Sequence, residues 1–291
     1  MSALLVQYLV TGLTVGAVYA LVALGFCIIY NASQIINFAQ GEFVMIGGMA
    51  AVSFSDIGLP LPLAVALAVA AAALVGLALE KLAVEPARHA PVVMLIIITI
   101  GASIFLRGLA TLVWDKKLHT LPAFSGDAPI GFFGAVVLPQ SLWVLGVTLA
   151  IVLLLALFFG RTLLGKAMLA TSYNRLAAQL VGIDVRRMLF ISFGLSAALG
   201  AIAGALIAPI ALTSYDIGVM LGLKGFAAAM LGGMGSGTGA VLGGLVLGVA
   251  ETLGAGYVSS AYKDVIAFAV ILAVLFFMPS GLLGVRSSDR V

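Results

Sequence analysis

The chain has 291 residues, 63% hydrophobic and only 9% charged, with a formal net charge of +3 and a mean hydropathy of +1.27. Apolar runs of about 20 residues between short polar breaks match a hydrocarbon layer of about 30 Å, so the fold class is all-α, a polytopic helical membrane protein, and not a barrel of alternating strands. A lone Cys27 and two histidines, His89 and His119, exclude a disulfide framework and a Cys/His metal site, and bases scattered in short loops exclude nucleic acid as a partner.

Residues 1–7 carry no basic segment, and the apolar run 8–30 is longer than a signal-peptide core, so it reads as a retained span. Residues 31–42, NASQIINFAQGE, interrupt the hydrophobicity with Asn31, Ser33, Gln34, Asn37, Gln40, Gly41 and Glu42. The apolar piece 43–54 is too short to cross alone, which predicts a broken or re-entrant helix. A turn through Asp56, Gly58, Pro60 and Pro62 leads to a span over 63–79, a charged loop over 80–91, a span over 92–113, a polar connection over 114–139 and a span over 142–159. After a basic loop over 160–188 come spans over 189–212, 217–235, 240–258 and 265–278, the last stopped by Pro279 and Gly281 and followed by a tail with Arg286 and Arg290. The expectation is about eight membrane passes in a single transmembrane domain over 1–291.

The basic residues orient the chain. With the loop at 160–188 in the cytoplasm, alternation puts Arg161, Lys166, Arg175, Arg186, Arg187, Lys81, Arg88, Arg286 and Arg290 on one side, against Lys116, Lys117 and, if they are loop residues, Lys224 and Lys263 on the other. That bias follows the positive-inside rule and leaves the N-terminus outside if 43–54 crosses fully.

FVMIGGMAA at 43–51 resembles AAMLGGMGS at 228–236, and each is followed by a small-residue run ending in an acid, Glu80 or Glu251. Under the alternation above the two units enter the membrane from opposite sides, as inverted repeats do, and transporters place their pathway between such repeats. Charged groups inside apolar runs need a partner, water or a pathway. Glu42, Arg107, Lys224 and Glu251 qualify; Arg107, six residues from the end of its run, is expected to reach the interface. Polar anchoring is the simplest reading of Glu42 and Glu251, which occupy related places around the repeats.

The basic loop has good helix formers over 163–181, no proline, and Gly182 as a C-cap. Ala167, Ala170, Asn174, Ala177, Ala178 and Val181 recur at three- and four-residue intervals and form a face of small side chains. Such a face suits docking in a groove of another protein; an amphipathic helix on anionic membrane lipid fits the bases equally.

Over essentially its whole length the chain resembles the permease subunits of branched-chain amino-acid ABC importers, the LivH type. The resemblance lies in YALVALGFCIIYNASQIINFAQGEFVMIGG at 19–48, GKAMLATSYNRLAAQLVGID at 165–184 and LKGFAAAMLGGMGSGTGAVLGGLVLG at 223–248, with the INFAQGEF core at 36–43 the most specific. Leu169 stands where relatives often carry Arg, and Tyr173 where they often carry an acid. The resemblance implies a multi-pass protein of the bacterial inner membrane, with a paralogous second permease, two ATP-binding subunits and a periplasmic binding protein delivering an amino acid. It also implies that the 160–188 loop is the coupling element, with Gly165, Ala167, Ala170, Asn174, Ala177, Ala178 and Gly182 at the ATPase. Pathway candidates are Asn37, Phe38, Gln40, Gly41, Glu42, Lys224, Gly232, Gly233 and Glu251. No cofactor or metal is expected, and the chain is not an enzyme: it lacks GxxxxGK[ST], and Ser236 has no histidine at membrane depth to activate it. Alternatives are a related permease for urea, short amides or other amino acids, and an ATP-independent channel.

Overall fold

The computed structural model describes residues 2–132, 134–278 and 280–284. The expected stop at Pro279 and the basic tail with Arg286 and Arg290 lie outside them. Where no water can satisfy backbone groups, the chain must pair them internally, and it does so as helices. Helix α1 (Ser2–Ser33) is followed by α2 (Gln40–Asp56), α3 (Leu61–Leu79) and α4 (Val92–Val113). A small antiparallel hairpin, β1 (Ile130–Phe132) with β2 (Ala135–Val137), interrupts the connection to α5 (Pro139–Arg161). Then come α6 (Leu163–Tyr173), α7 (Arg175–Leu180), α8 (Val185–Ala211), α9 (Ile217–Gly232), α10 (Gly237–Tyr257) and α11 (Lys263–Phe277).

Among the described residues, six helices are long and apolar enough to cross a membrane: α1, α3 with its π-helical extension to Val84, α4, α5, α8 and α10. Helices α2, α9 and α11 have 17, 16 and 15 residues. At about 1.5 Å per residue they reach roughly 22–26 Å, short of a full crossing.

The expected break after the first span is present and is repeated. Helix α1 ends at Ser33, and the next residue, Gln34, takes φ 58°; helix α8 ends at Ala211, and the next residue, Leu212, takes φ 59°. A left-handed conformation at a residue with a side chain is uncommon and marks a forced change of direction. After each break a short helix begins, α2 at Gln40 and α9 at Ile217, and the second residues of the two, Gly41 and Gly218, pack backbone to backbone. Helix α2 packs on α8 and α3 on α8, while α9 and α10 pack on α1, so each unit clasps the long helix of the other. The two units run in opposite senses: Arg175 reaches the Ala32 carbonyl at 2.7 Å, which brings the end of α1 to the start of α8, and Gln7, near the start of α1, accepts from Val136 N at the other end.

This corrects the repeat register. Gly47 and Gly48 lie in the middle of α2 against Ala201 and Thr213, whereas Gly232 is the last residue of α9 and Gly233 its C-cap, with φ 103°. The shared Gly-Gly-Met is therefore not a structural equivalence; the matching points are the starts of α2 and α9. Glu42 sits at the start of α2 and Glu251 in the last two turns of α10, so they are not counterparts.

The basic loop is also not one helix. Asn174 takes φ −156° and ψ 106°, which ends α6, and its side chain accepts from Ala177 N at 3.0 Å to cap α7. Thr162 caps α6 in the same way through Gly165 N at 2.9 Å, and Asp184 caps α8 through Arg187 N at 3.2 Å. Gly182, at φ 87°, closes α7 as expected: Ile183 N bonds to Ala178 O at 2.9 Å and Gly182 N to Gln179 O at 3.0 Å, a Schellman motif.

Candidate functional site

Three places gather the polar residues of this apolar chain. The first is the meeting point of α2 and α9. Glu42 is 1% exposed; its Oε1 accepts from Ser103 Oγ at 2.7 Å and stands 3.6 Å from Arg107 Nε. The second carboxylate oxygen, Oε2, and Arg107 Nε are both buried without a hydrogen-bond partner. The two residues line a cavity of about 220 Å³ whose other walls include Phe26, Phe38, Ile100, Ile104, Val219 and Leu223. Arg107 thus stands beside Glu42, with its side chain 32% exposed.

Only Phe38 and Glu42 of the expected pathway residues in this region line that cavity. Phe38 N donates to Thr99 Oγ1 at 3.2 Å, and its ring lies 5.7 Å from that of Phe226. Gln40 is fully buried and tied to Ser196, donating to its carbonyl at 3.1 Å and accepting from its hydroxyl at 2.6 Å, which is a structural clamp between α2 and α8. Asn37 turns its Oδ1 to Ala39 N at 3.1 Å while Nδ2 stays buried and unpaired. Gly41 forms the close approach to Gly218 and Gly222. Sequence reasoning missed Ser103, although Thr99, Ser103 and Arg107, four residues apart on α4, form one polar stripe on an otherwise apolar helix.

The second place joins α1, α9, α10 and α11. Glu251, 0% exposed, accepts from Tyr19 Oη at 2.9 Å and from Lys224 Nζ at 2.9 Å, and Lys263 Nζ stands 3.1 Å away. Lys224 also pairs with Asp264 at 2.6 Å and lies 5.7 Å from the Tyr19 ring centroid. Lys224 is therefore a buried helix residue and not a loop base that counts toward orientation. The structure brings together Lys224 and Glu251, and away from them puts Gly232 and Gly233, which pack on Gly239 and on residues 281–284. Removing one member of a buried, hydrogen-bonded ion cluster strands the others and costs about 3–5 kcal/mol. Lys224→Met is accordingly expected to lower the melting temperature of the purified protein strongly, and Lys224→Met with Glu251→Leu to recover part of the loss.

The third place is the basic end. Of the expected coupling residues, Gly165 and Ala178 are buried, Ala167 and Ala170 half-buried, and Asn174, Ala177 and Gly182 exposed. The break at Asn174 thus splits the small face: Gly165 packs under Phe158 and Phe159, and Ala178 faces α8 and the interior. What the end of the molecule presents outward is large and apolar: Tyr173, Leu176, Leu180 and Val181 are 87%, 74%, 88% and 76% exposed. Four such side chains on one short capped segment form an interaction surface. Charges surround it. Burial lowers the Arg175 pKa from its ordinary value, and a hydrogen bond from Lys81, 2.6 Å away, holds the Glu85 carboxyl below the usual carboxylate range. At the opposite end the Lys117 backbone N–H, 2.7 Å from Asp115, does the same to that carboxyl. A further cavity of about 600 Å³, between α1, α5, α6 and α10, has mainly carbon walls and includes Cys27.

The chain is a multi-pass membrane protein, and its relatives agree with that architecture. Over 98% of its length it is 35% identical to the high-affinity branched-chain amino acid transport system permease protein LivH of Escherichia coli, covering 97% of that protein. It is 37% identical to BraD of Pseudomonas aeruginosa, a permease protein named for the same type of system, again over 98% of this chain and 97% of that one. A probable branched-chain amino acid transport permease protein LivH of Methanocaldococcus jannaschii is 30% identical over 91% of this chain and 88% of its own. Among solved structures, PsaBC from Streptococcus pneumoniae in complex with Fab shares the fold, with a TM-score of 0.54 over 96% of this chain and 97% of that one at 16% identity. The model of the family described as branched-chain amino acid transport system / permease component matches residues 8–275, and the chain belongs to that family.

Proposed function

We propose that this chain is one of two permease subunits of an ATP-driven importer of branched-chain amino acids in the cytoplasmic membrane. The observation that carries the reading is similarity along 98% of the chain to relatives named as branched-chain amino acid permeases. Seven bases, Lys81, Arg88, Arg161, Lys166, Arg175, Arg186 and Arg187, support placing the α6–α7 end in the cytoplasm. There, Tyr173, Leu176, Leu180 and Val181 offer an apolar contact to one of two separate ATP-binding subunits. Exposed Ala177 can join that contact; Gly165 and Ala178 support it from beneath, and Asn174 and Gly182 cap the helix that carries it. A capped, Schellman-closed segment bonded through Arg175 to the end of α1 is stiff enough to pass on movement of the ATPases. A periplasmic binding protein delivers the amino acid to the opposite end, and a paralogous permease completes the pathway.

Cells lacking their own high-affinity uptake, supplied with the whole gene set, are expected to take up labelled leucine. Excess isoleucine or valine should compete and excess urea should not. Competition by urea or short amides without competition by isoleucine or valine would assign the related permease class instead.

A further inference from the structure

Glu42 and Arg107 are placed unusually for an ion pair. At 3.6 Å the pair is too long for a hydrogen bond, and it leaves one buried acceptor, Glu42 Oε2, and one buried donor, Arg107 Nε, unmet. Buried polar groups are nearly always satisfied, and an unmet donor and acceptor on two residues that line one cavity would both be met by a ligand that carries the two complements and draws the side chains toward it. The cavity opens beside a side chain of Arg107 that is 32% exposed. At membrane depth such a face is stable against a pathway or another subunit, not against lipid tails.

We propose that this cavity is a way-station for a zwitterionic aliphatic amino acid, its ammonium on Glu42 Oε2, its carboxylate on Arg107 and its side chain between Phe26, Phe38, Ile100 and Leu223. The volume, about 220 Å³, is enough for a residue-sized ligand. Ser103 fixes the occupied oxygen of Glu42 and leaves the other free. Gly218 packs on the α2 backbone and on this oxygen, a β-carbon there standing 2.5 Å from the Gly41 carbonyl oxygen and 3.1 Å from Glu42 Oε2, so Oε2 meets a ligand by a turn of the Glu42 side chain toward the cavity. The polar pair recognises what all α-amino acids share, and the apolar walls select for branched aliphatic chains. Urea, which has no opposed charges, would supply neither the ammonium nor the carboxylate that this pair matches. The proposal rests on the import reading above and specifies its substrate step.

The test uses the whole importer with its binding protein in proteoliposomes, and wild-type uptake of leucine and valine reports the import reading separately. Glu42→Gln and Arg107→Gln are each expected to lower leucine delivered per ATP hydrolysed by at least about tenfold, the scale set by losing one matched polar partner. That ratio counts only assembled complexes, so reduced folding does not mimic the effect. Val219→Phe, which fills the cavity from α9, is expected to shift uptake from leucine toward valine by about tenfold, the worth of a methylene in a tight apolar pocket. An unchanged ratio in both charge variants together with an unchanged leucine-to-valine preference in Val219→Phe would make the pair a structural bond and overturn the proposal.

Discussion

Gly41→Leu is expected to leave almost no assembled protein in the membrane, although Gly41 is one of 35 glycines. A β-carbon there would fall on the Gly218 carbonyl oxygen and stand 2.8 Å from its carbon and 3.0 Å from Gly222 Cα. All three are backbone atoms, so no side chain can move aside, and the two half-helices must separate. Overpacking usually costs 1–3 kcal/mol where neighbours can shift, and here the loss is expected to exceed about 3 kcal/mol. Separation would also expose Gln40 and Glu42, which are buried at the start of α2. The control is Gly101→Leu on α4, where nothing lies within 4 Å of the added atom; it is expected to change stability by less than about 0.5 kcal/mol. Membrane protein level and melting temperature in detergent read both. Normal levels of Gly41→Leu would remove the packed junction of α2 and α9 from the account.

Leu176→Asp with Leu180→Asp is expected to abolish ATP hydrolysis stimulated by the binding protein, together with uptake, while the permease stays folded. Both side chains are mostly exposed, at 74% and 88%, so their replacement removes little contact within the chain. Two charges placed on an apolar docking surface would lose two anchors and add desolvation, several kcal/mol at a subunit contact. The contrast is Ala178→Leu: at 2% exposed, Ala178 is buried beneath α7, so its enlargement disturbs the seating of the helix and acts through folding. Wild-type stimulation in the double aspartate variant would show that the ATPases dock elsewhere.

The membrane class and the break after the first span were legible because each rests on hydrophobicity along the chain, which the bilayer reads directly; the second break was not, since 217–235 reads as one apolar span while α9 is a helix of 16 residues. The register of the repeat was not. Gly-Gly-Met at 47–49 and 232–234 matches by composition, while the structural correspondence lies in where the short helices begin, at Gln40 and Ile217, and is carried by Gly41 and Gly218, which share no extended motif. The coupling segment shows the same limit. Its caps were readable in Gly182 and, with more weight on its residue type, in Asn174, an asparagine that ends one helix and starts the next. Treating 163–181 as one helix put alanines on a single outward face, and the break at Asn174 turns the large residues outward instead. At the candidate site, Glu42 was visible as a lone acid in apolar sequence, but its partners Ser103 and Arg107 come from another helix, 61 residues or more away, and only packing joins them.

Accumulation of radiolabelled leucine by sealed proteoliposomes holding this permease, its partner permease and the ATP-binding subunits tests the central claim most directly, with loaded binding protein on one face and ATP on the other. The result expected is concentration of leucine above its external level, abolished without ATP and abolished by Leu176→Asp with Leu180→Asp. Equilibration of leucine at the same rate with and without ATP would contradict it and identify a channel.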